Sequence, residues 1–244
     1  MAKSQINENA RTISIKAKSD KEFFLLHGYT GSPTDFNKLG QYLNKRFNAN
    51  IKIIRFLGHG EKIENLEGIE YMEFYKQAEK ELKKDLAKNK KIIIGGISMG
   101  SLISLDLASK YPVKGILNIS IPYRKRFLTK IISIIEPLII KKYWAKPMTQ
   151  KEKELRKKAF YYDMSLLSFK VIRQGIREIK GKLKKIIAPC LVIHVKNDKL
   201  FSFRGARLIS EEISSKQKKL VLFREGKGVS HNPFYSPNHR ELPP

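Results

Sequence analysis

The sequence predicts an α/β fold in which a mainly parallel sheet is covered by helices on both faces. Three observations carry that prediction. Short apolar runs alternate along the chain with segments of helical period, the order expected of a sheet built by crossovers. The runs are almost continuously apolar, as in "FFLL" and "III", and strands buried on both faces need that. At 244 residues, 41% of them hydrophobic, the chain has the size and apolar content of one domain with a large core.

The elements follow in order. Residues 11–16 ("RTISIK") alternate and predict an edge strand. "KEFFLLH" predicts a buried strand ending at His27. The segment "GYTGSPTDF" is rich in turn residues, and Ser32 or Thr34 is suited to cap a helix over 35–46. That helix is expected to turn Leu39, Tyr42 and Leu43 inward. "NIKIIRF" predicts the next strand, and "LGHGEKIENLEG" a loop. Tyr71, Phe74, Tyr75, Ala78 and Leu82 recur at helical spacing and predict a helix over 71–88. "KKIIIGG" reads as a strand, Met99 to Lys110 as a helix closed by Pro112, and "VKGILNIS" as a strand.

The pattern changes after Pro122. Residues 123–187 read as mostly helical and as an insertion between two strands, divided by Pro137 and Pro147. They hold 19 Lys and Arg against 5 Asp and Glu, more than half of the net charge of +26. The alternation then resumes. "APCLVIHV" predicts a strand, "FSFRGARLISEEI" a loop and helix, and "KKLVLFRE" the last strand.

Composition excludes several classes. The longest apolar stretch, "FLTKIISIIEPLII", is broken by Lys130, Glu136 and Pro137, so no membrane span is expected. The N-terminus "MAKSQINENARTISI" has no apolar segment of a secretory signal. One cysteine, Cys190, excludes an internal disulfide and a cysteine-rich metal site. A cytoplasmic location is expected. The positive charge has two readings: a lysine-rich compositional bias, or weak attraction to anionic surfaces or substrates. No zinc-finger spacing occurs, and aromatic residues are not interleaved with basic ones. No specific nucleic-acid partner is expected, and the oligomeric state is left open.

The chemistry centres on "GGISMGS", residues 95–101, at a predicted strand-to-helix junction. Ser98 stands between Gly96 and Gly100, the spacing of a nucleophile elbow. The turn is tight, and glycines leave room for it. A helix N-terminus beside the serine favours developing negative charge. A serine nucleophile needs a base, and the base needs an orienting acid. Of five histidines, His231 follows the last predicted strand and lies at the sheet edge where Ser98 emerges. His194 falls inside a strand, His27 ends one, His59 sits in a loop and His239 is near the terminus. Asp198, just after "CLVIHV", reaches the same edge, whereas Asp106 lies down a helix and Asp163 lies in the insertion. The order Ser98, Asp198, His231 is that of an α/β-hydrolase triad. The Met99 amide supplies one oxyanion donor, and the Tyr29 amide in "HGYTG" is the candidate for the second. This chemistry calls for no metal and no cofactor.

Together, "FFLLHGYTGSP", "RFLGHGE", "GGISMGS", "PCLVIHVKNDKL" and "SHN" resemble the α/β-hydrolase superfamily. More narrowly, they resemble small bacterial thermostable carboxylesterases and bacterial monoacylglycerol lipases. The resemblance implies an α/β-hydrolase fold with a helical cap inserted after its sixth strand. It implies three parts: 1–122, the first part of the core; 123–170, the cap; and 171–244, the second part of the core. It carries the nucleophile to Ser98, the acid to Asp198, the base to His231 and the oxyanion donors to Tyr29 and Met99. The "GHG" around His59 is read as a tight loop that holds the oxyanion loop in place. Two positions depart from the pattern: Ser101 where a second glycine is common after the elbow, and Val195 where a glycine often precedes the acid. The implied activity is a serine carboxylesterase acting on short to medium acyl esters, with a small-molecule or lipid ester as substrate. Monoacylglycerol lipase, lysophospholipase and serine-dependent acyltransferase are the alternatives.

Overall fold

Seven strands hydrogen-bond into one sheet among the residues that the computed structural model describes, which are 6–124, 143–145, 163–165, 167–223, 231 and 233. In chain order they are β1 (Ile13–Ile15), β2 (Lys21–Leu26), β3 (Asn50–Ile54), β4 (Lys91–Ile97), β5 (Gly115–Ile119), β8 (Cys190–Val195) and β9 (Lys218–Phe223). Their order across the sheet is β1-β3-β2-β4-β5-β8-β9. Only the β1 edge is antiparallel; every other pairing in the sheet is parallel. All the parallel strands therefore end at one edge, where α/β sheets place their sites.

The apolar runs split between the two faces, as side-chain alternation requires. Phe24 and Leu26 of β2 join the larger core with Ile92, Ile94, Ile116 and Val192. That core is covered by α2 (Tyr71–Leu86), α3 (Met99–Ala108), α4 (Leu167–Ile179) and α5 (Phe203–Glu212), which supply Phe74, Leu102, Ile172 and Ile209 among others. Phe23 and Leu25 face the other way, against α1 (Asn37–Phe47) and Ile51 and Ile53 of β3. Each such side chain, once fully buried, contributes roughly 2 kcal/mol of hydrophobic stabilisation.

Local differences from the sequence reading have local causes. The helix predicted over 35–46 begins at Asn37, because Pro33–Phe36 close first into a 3-10 turn. Ser32 is its cap: Ser32 Oγ accepts from Thr34 N, and the Asp35 carboxylate accepts from Ser32 N at 3.2 Å. Tyr42 does not face inward. It is 53% exposed, while Gly40 and Leu43 make the buried stripe, so Tyr42 lies on the helix flank. Residues 123–187 are not helical throughout. Tyr143–Ala145 (β6) and Asp163–Ser165 (β7) pair antiparallel in a separate ladder, where an aromatic pair at 143–144 favours extended backbone. Residues 125–142, 146–162 and 166 of the expected cap lie outside the described residues. The expected insertion would follow β5, the fifth strand in chain order among the described residues.

Partly buried ion pairs tie the opposite edge together. Lys52 on β3 donates to Glu81 and Asp85 of α2 at 2.8 and 2.6 Å, and Lys90 pairs with buried Glu22. No helix among the described residues is long and apolar enough to cross a membrane.

Candidate active site

Ser98 sits where β4 ends and α3 begins, with φ 52° and ψ −119°. A non-glycine residue held at positive φ costs free energy and marks a turn imposed by its surroundings. The surroundings are visible. Ser98 N donates to Ile119 O on β5 at 3.1 Å, and Ser98 O accepts from Ser101 N at 2.9 Å. A side chain on either flanking glycine is excluded: a Cβ on Gly96 would stand 2.2 Å from Gly100 C, and one on Gly100 would stand 2.0 Å from Leu26 O. Both obstacles are backbone and have no rotamer to yield. Gly100→Ala is accordingly expected to destabilise the protein by about 3 kcal/mol, measured by urea unfolding, and a loss below about 0.5 kcal/mol would contradict this packing.

Ser101 shows why the absent second glycine does no harm. Its hydroxyl donates to Ser98 O at 2.6 Å and is fully buried, so it braces the elbow. Ser104 continues the brace, with Oγ 2.9 Å from Ser101 O and 2.5 Å from Asn118 Oδ1 on β5.

Asp198 lies three residues past β8, in a turn closed by Asp198 N donating to Val195 O at 3.1 Å. Val195 is still strand, paired with Phe223, and its φ is not among the positive values of the described residues. A glycine is not required there. The Asp198 carboxylate is fully buried. Its Oδ1 accepts from Leu200 N at 2.8 Å and Phe201 N at 3.1 Å, and its Oδ2 lies 2.6 Å from His231 Nδ1. Burial pushes its pKa up, but His231 and the two amides outweigh burial and hold it below the ordinary carboxylate value.

That pair fixes the imidazole. An ionised carboxylate only accepts, so Nδ1 of His231 carries the proton and Nε2 presents a lone pair. His231 Nε2 is buried and has no hydrogen-bond partner among the described residues. The His231 ring packs against Phe201 with centroids 5.4 Å apart. The structure thus joins Asp198 to His231 and places Ser98 at the same sheet edge, but it makes no hydrogen bond between His231 and Ser98. β4 and β8 flank β5, so their ends are two strand spacings, about 10 Å, apart.

The oxyanion candidates also converge here. Met99 opens α3 and is fully buried, its amide at the helix N-terminus. Tyr29 follows Gly28, and Gly28 lies against Ser98: a Cβ there would stand 3.2 Å from Ser98 Cβ and 3.9 Å from Ser98 Oγ.

The other histidines do different work. His194 is fully buried on β8, with Nε2 3.6 Å from Asp198 Oδ2, so it backs the same carboxylate from inside the sheet. His27 and His59 bond the backbone of the loop carrying Tyr29. Sequence reasoning placed His59 beside that loop but missed His27, whose position at a strand end carried no local signal. His239 lies outside the described residues. Among those residues no cluster of His, Cys, Asp or Glu is arranged to hold a metal ion.

Comparison with known proteins agrees with this architecture. The family model described as "Serine aminopeptidase, S33" matches residues 17–234. The chain is 25% identical over 213 residues to a carboxylesterase of Bacillus subtilis (strain 168), covering 84% of this chain and 83% of that protein. It is 25% identical over 211 residues to a thermostable monoacylglycerol lipase of Bacillus sp. (strain H-257), covering 84% and 82%. Among solved structures, one reported with the metagenome-derived lipolytic enzymes LipS and LipT superposes with a TM-score of 0.81, at 17% identity over 97% of this chain and 95% of that one. The monoacylglycerol lipase of Paleococcus ferrophilus superposes with a TM-score of 0.72, at 17% identity over 93% and 91%. The superpositions, at such identities, speak to the fold alone. The family match spans most of the chain, which therefore belongs to the serine aminopeptidase S33 family and is a serine hydrolase with the α/β-hydrolase fold.

Proposed function

We propose that this protein is a carboxylesterase that hydrolyses short to medium acyl esters through an acyl-enzyme on Ser98. The observation that carries the reading is the Asp198–His231 bond of 2.6 Å at the edge where the strained turn presents Ser98. Ser98 Oγ attacks the ester carbonyl carbon while its proton passes to His231 Nε2. The carbonyl oxygen becomes an oxyanion held by the Tyr29 and Met99 amides. The carbon–oxygen bond to the alcohol then breaks, and the alcohol leaves with the proton from His231. Water, deprotonated by the same nitrogen, adds to the acyl carbon, and collapse of that intermediate frees the acid and restores Ser98. Asp198 keeps the imidazole in the Nδ1–H form and stabilises its charged state.

Support for an ester substrate comes from the relatives, named as a carboxylesterase and a monoacylglycerol lipase. Residues 123–170 are proposed as a cap over the acyl site, set between core parts 1–122 and 171–244. The second reading, a monoacylglycerol lipase, is favoured by the second relative. One substrate series separates them. The purified protein is assayed on p-nitrophenyl esters from acetate to palmitate, with monoacylglycerols alongside. The carboxylesterase reading expects kcat/KM to peak at short or medium chains. A clear preference for long-chain monoacylglycerols reverses the ordering, and no ester hydrolysis at any length removes both readings.

A further inference from the structure

We propose that His27 and His59 are positioning residues that aim the Tyr29 amide at the reacting carbonyl oxygen, a role that rests on the reading of Ser98 given above. Both rings lie under the loop Gly28–Gly31, and all four of their nitrogens are committed to backbone. His27 Nδ1 is 2.9 Å from Gly28 O, and His27 Nε2 accepts from Phe56 N at 3.2 Å. His59 Nε2 accepts from Thr30 N at 3.2 Å, and His59 Nδ1 is 3.0 Å from Leu57 O. A carbonyl only accepts and an amide N–H only donates. The partners therefore assign each ring the neutral Nδ1–H form.

The consequence falls on the peptide between Gly28 and Tyr29. In a trans peptide the carbonyl and the following N–H point in opposite directions. Whatever holds Gly28 O therefore sets where Tyr29 N–H points. His27 Nδ1–H holds that carbonyl, and Gly31 N donates to the same oxygen at 3.0 Å. The next peptide is held by His59 through Thr30 N, at a residue with φ 56°. Gly28 itself faces Ser98.

The rings are kept neutral and in place. His27 is fully buried, and its centroid lies 4.8 Å from that of His59 and 4.9 Å from that of Phe56, both edge-on. Burial lowers the His27 pKa to about 4, reinforced by the Arg55 charge and opposed by the bond to Gly28. Arg55 Nη1 in turn donates to His59 O at 2.6 Å and to Glu61 at 3.0 Å, anchoring the second ring. Packing alone would be met by Phe or Leu. The matched pattern of donors and acceptors is what packing does not ask for.

The test uses the full chain with His27→Leu, His59→Leu and His27→Asn, the last keeping a donor for Gly28 O. The readouts are kcat and KM on p-nitrophenyl butyrate, and Ki for a trifluoromethyl ketone of matching chain length. Ser98 Oγ adds to that ketone, its proton goes to His231, and the new oxyanion reports on the hole. Each leucine variant is expected to lower kcat by about 100-fold with KM within about twofold, and to raise Ki by the same factor. His27→Asn is expected to recover kcat to within about tenfold of wild type. Folded variants with unchanged kcat, with losses in KM alone, or with an unaltered Ki overturn the proposal. Should the leucine variants not fold, nitrogen NMR of the wild-type imidazoles decides. Nδ1–H tautomers at both rings, with the His27 signal moving when the ketone adduct forms, support it; an Nε2–H tautomer or an unresponsive ring overturns it. Wild-type protein that no fluorophosphonate labels at Ser98 defeats the hydrolase reading as well, whereas labelled wild type with indifferent histidine variants defeats only this proposal.

Discussion

Replacing Ser98 with alanine is expected to lower kcat on a p-nitrophenyl ester by about 10⁶-fold, near 8 kcal/mol of transition-state stabilisation. The size follows from the role. Without Oγ no acyl-enzyme forms, and only the oxyanion donors and binding contacts remain to assist water. The fold should not change. The Ser98 side chain caps nothing in α3, and the bonds that shape the elbow run through its N–H and C=O. Alanine meets the same strain at φ 52° as serine does. Steady-state kinetics and thermal unfolding on one preparation check both halves. A variant that keeps a tenth of the activity at an unchanged midpoint would mean that another group is the nucleophile.

Asp198→Asn should produce the second largest effect, a fall in kcat of about 10⁴-fold with substrate binding little altered. The cause is tautomeric rather than steric. The carboxylate makes Nδ1 of His231 the protonated nitrogen, across 2.6 Å. An asparagine that turns its amide N–H toward Nδ1 makes that nitrogen an acceptor and puts the proton on Nε2. The imidazole then cannot accept the Ser98 proton. Asparagine can still take the Leu200 and Phe201 amides on its oxygen, so the turn after β8 should survive. His194, 3.6 Å behind the same oxygen, remains in place as packing. Kinetics with circular dichroism as the folding control test this, and a loss below about tenfold would remove Asp198 from the role of orienting acid.

Much of the fold was legible because its signals are local. Each parallel strand is a run of apolar residues, and α2 shows its buried stripe from Tyr71 to Leu82 at helical spacing. The elbow was legible because two glycines flank one serine at a strand-to-helix junction, and the backbone around Gly96 and Gly100 leaves no room for anything larger. Asp198 and His231 are candidates because each follows a strand that ends at the same edge, and the structure pairs their side chains at 2.6 Å. What escaped depends on contacts between distant segments. Tyr42 follows the same period as Leu39 and Leu43, and only the position of the sheet shows that it misses the core. The β6–β7 ladder pairs segments about twenty residues apart inside a stretch whose composition reads as helix. His27 bonds the backbone amide of Phe56, 29 positions away, and no local pattern encodes that.

Covalent labelling tests the role of Ser98 directly. The folded protein is treated with a fluorophosphonate, digested and mapped by mass spectrometry. One adduct is expected, on Ser98, lost when His231 is replaced. A label on a different residue, or none on protein shown to be folded, would contradict it.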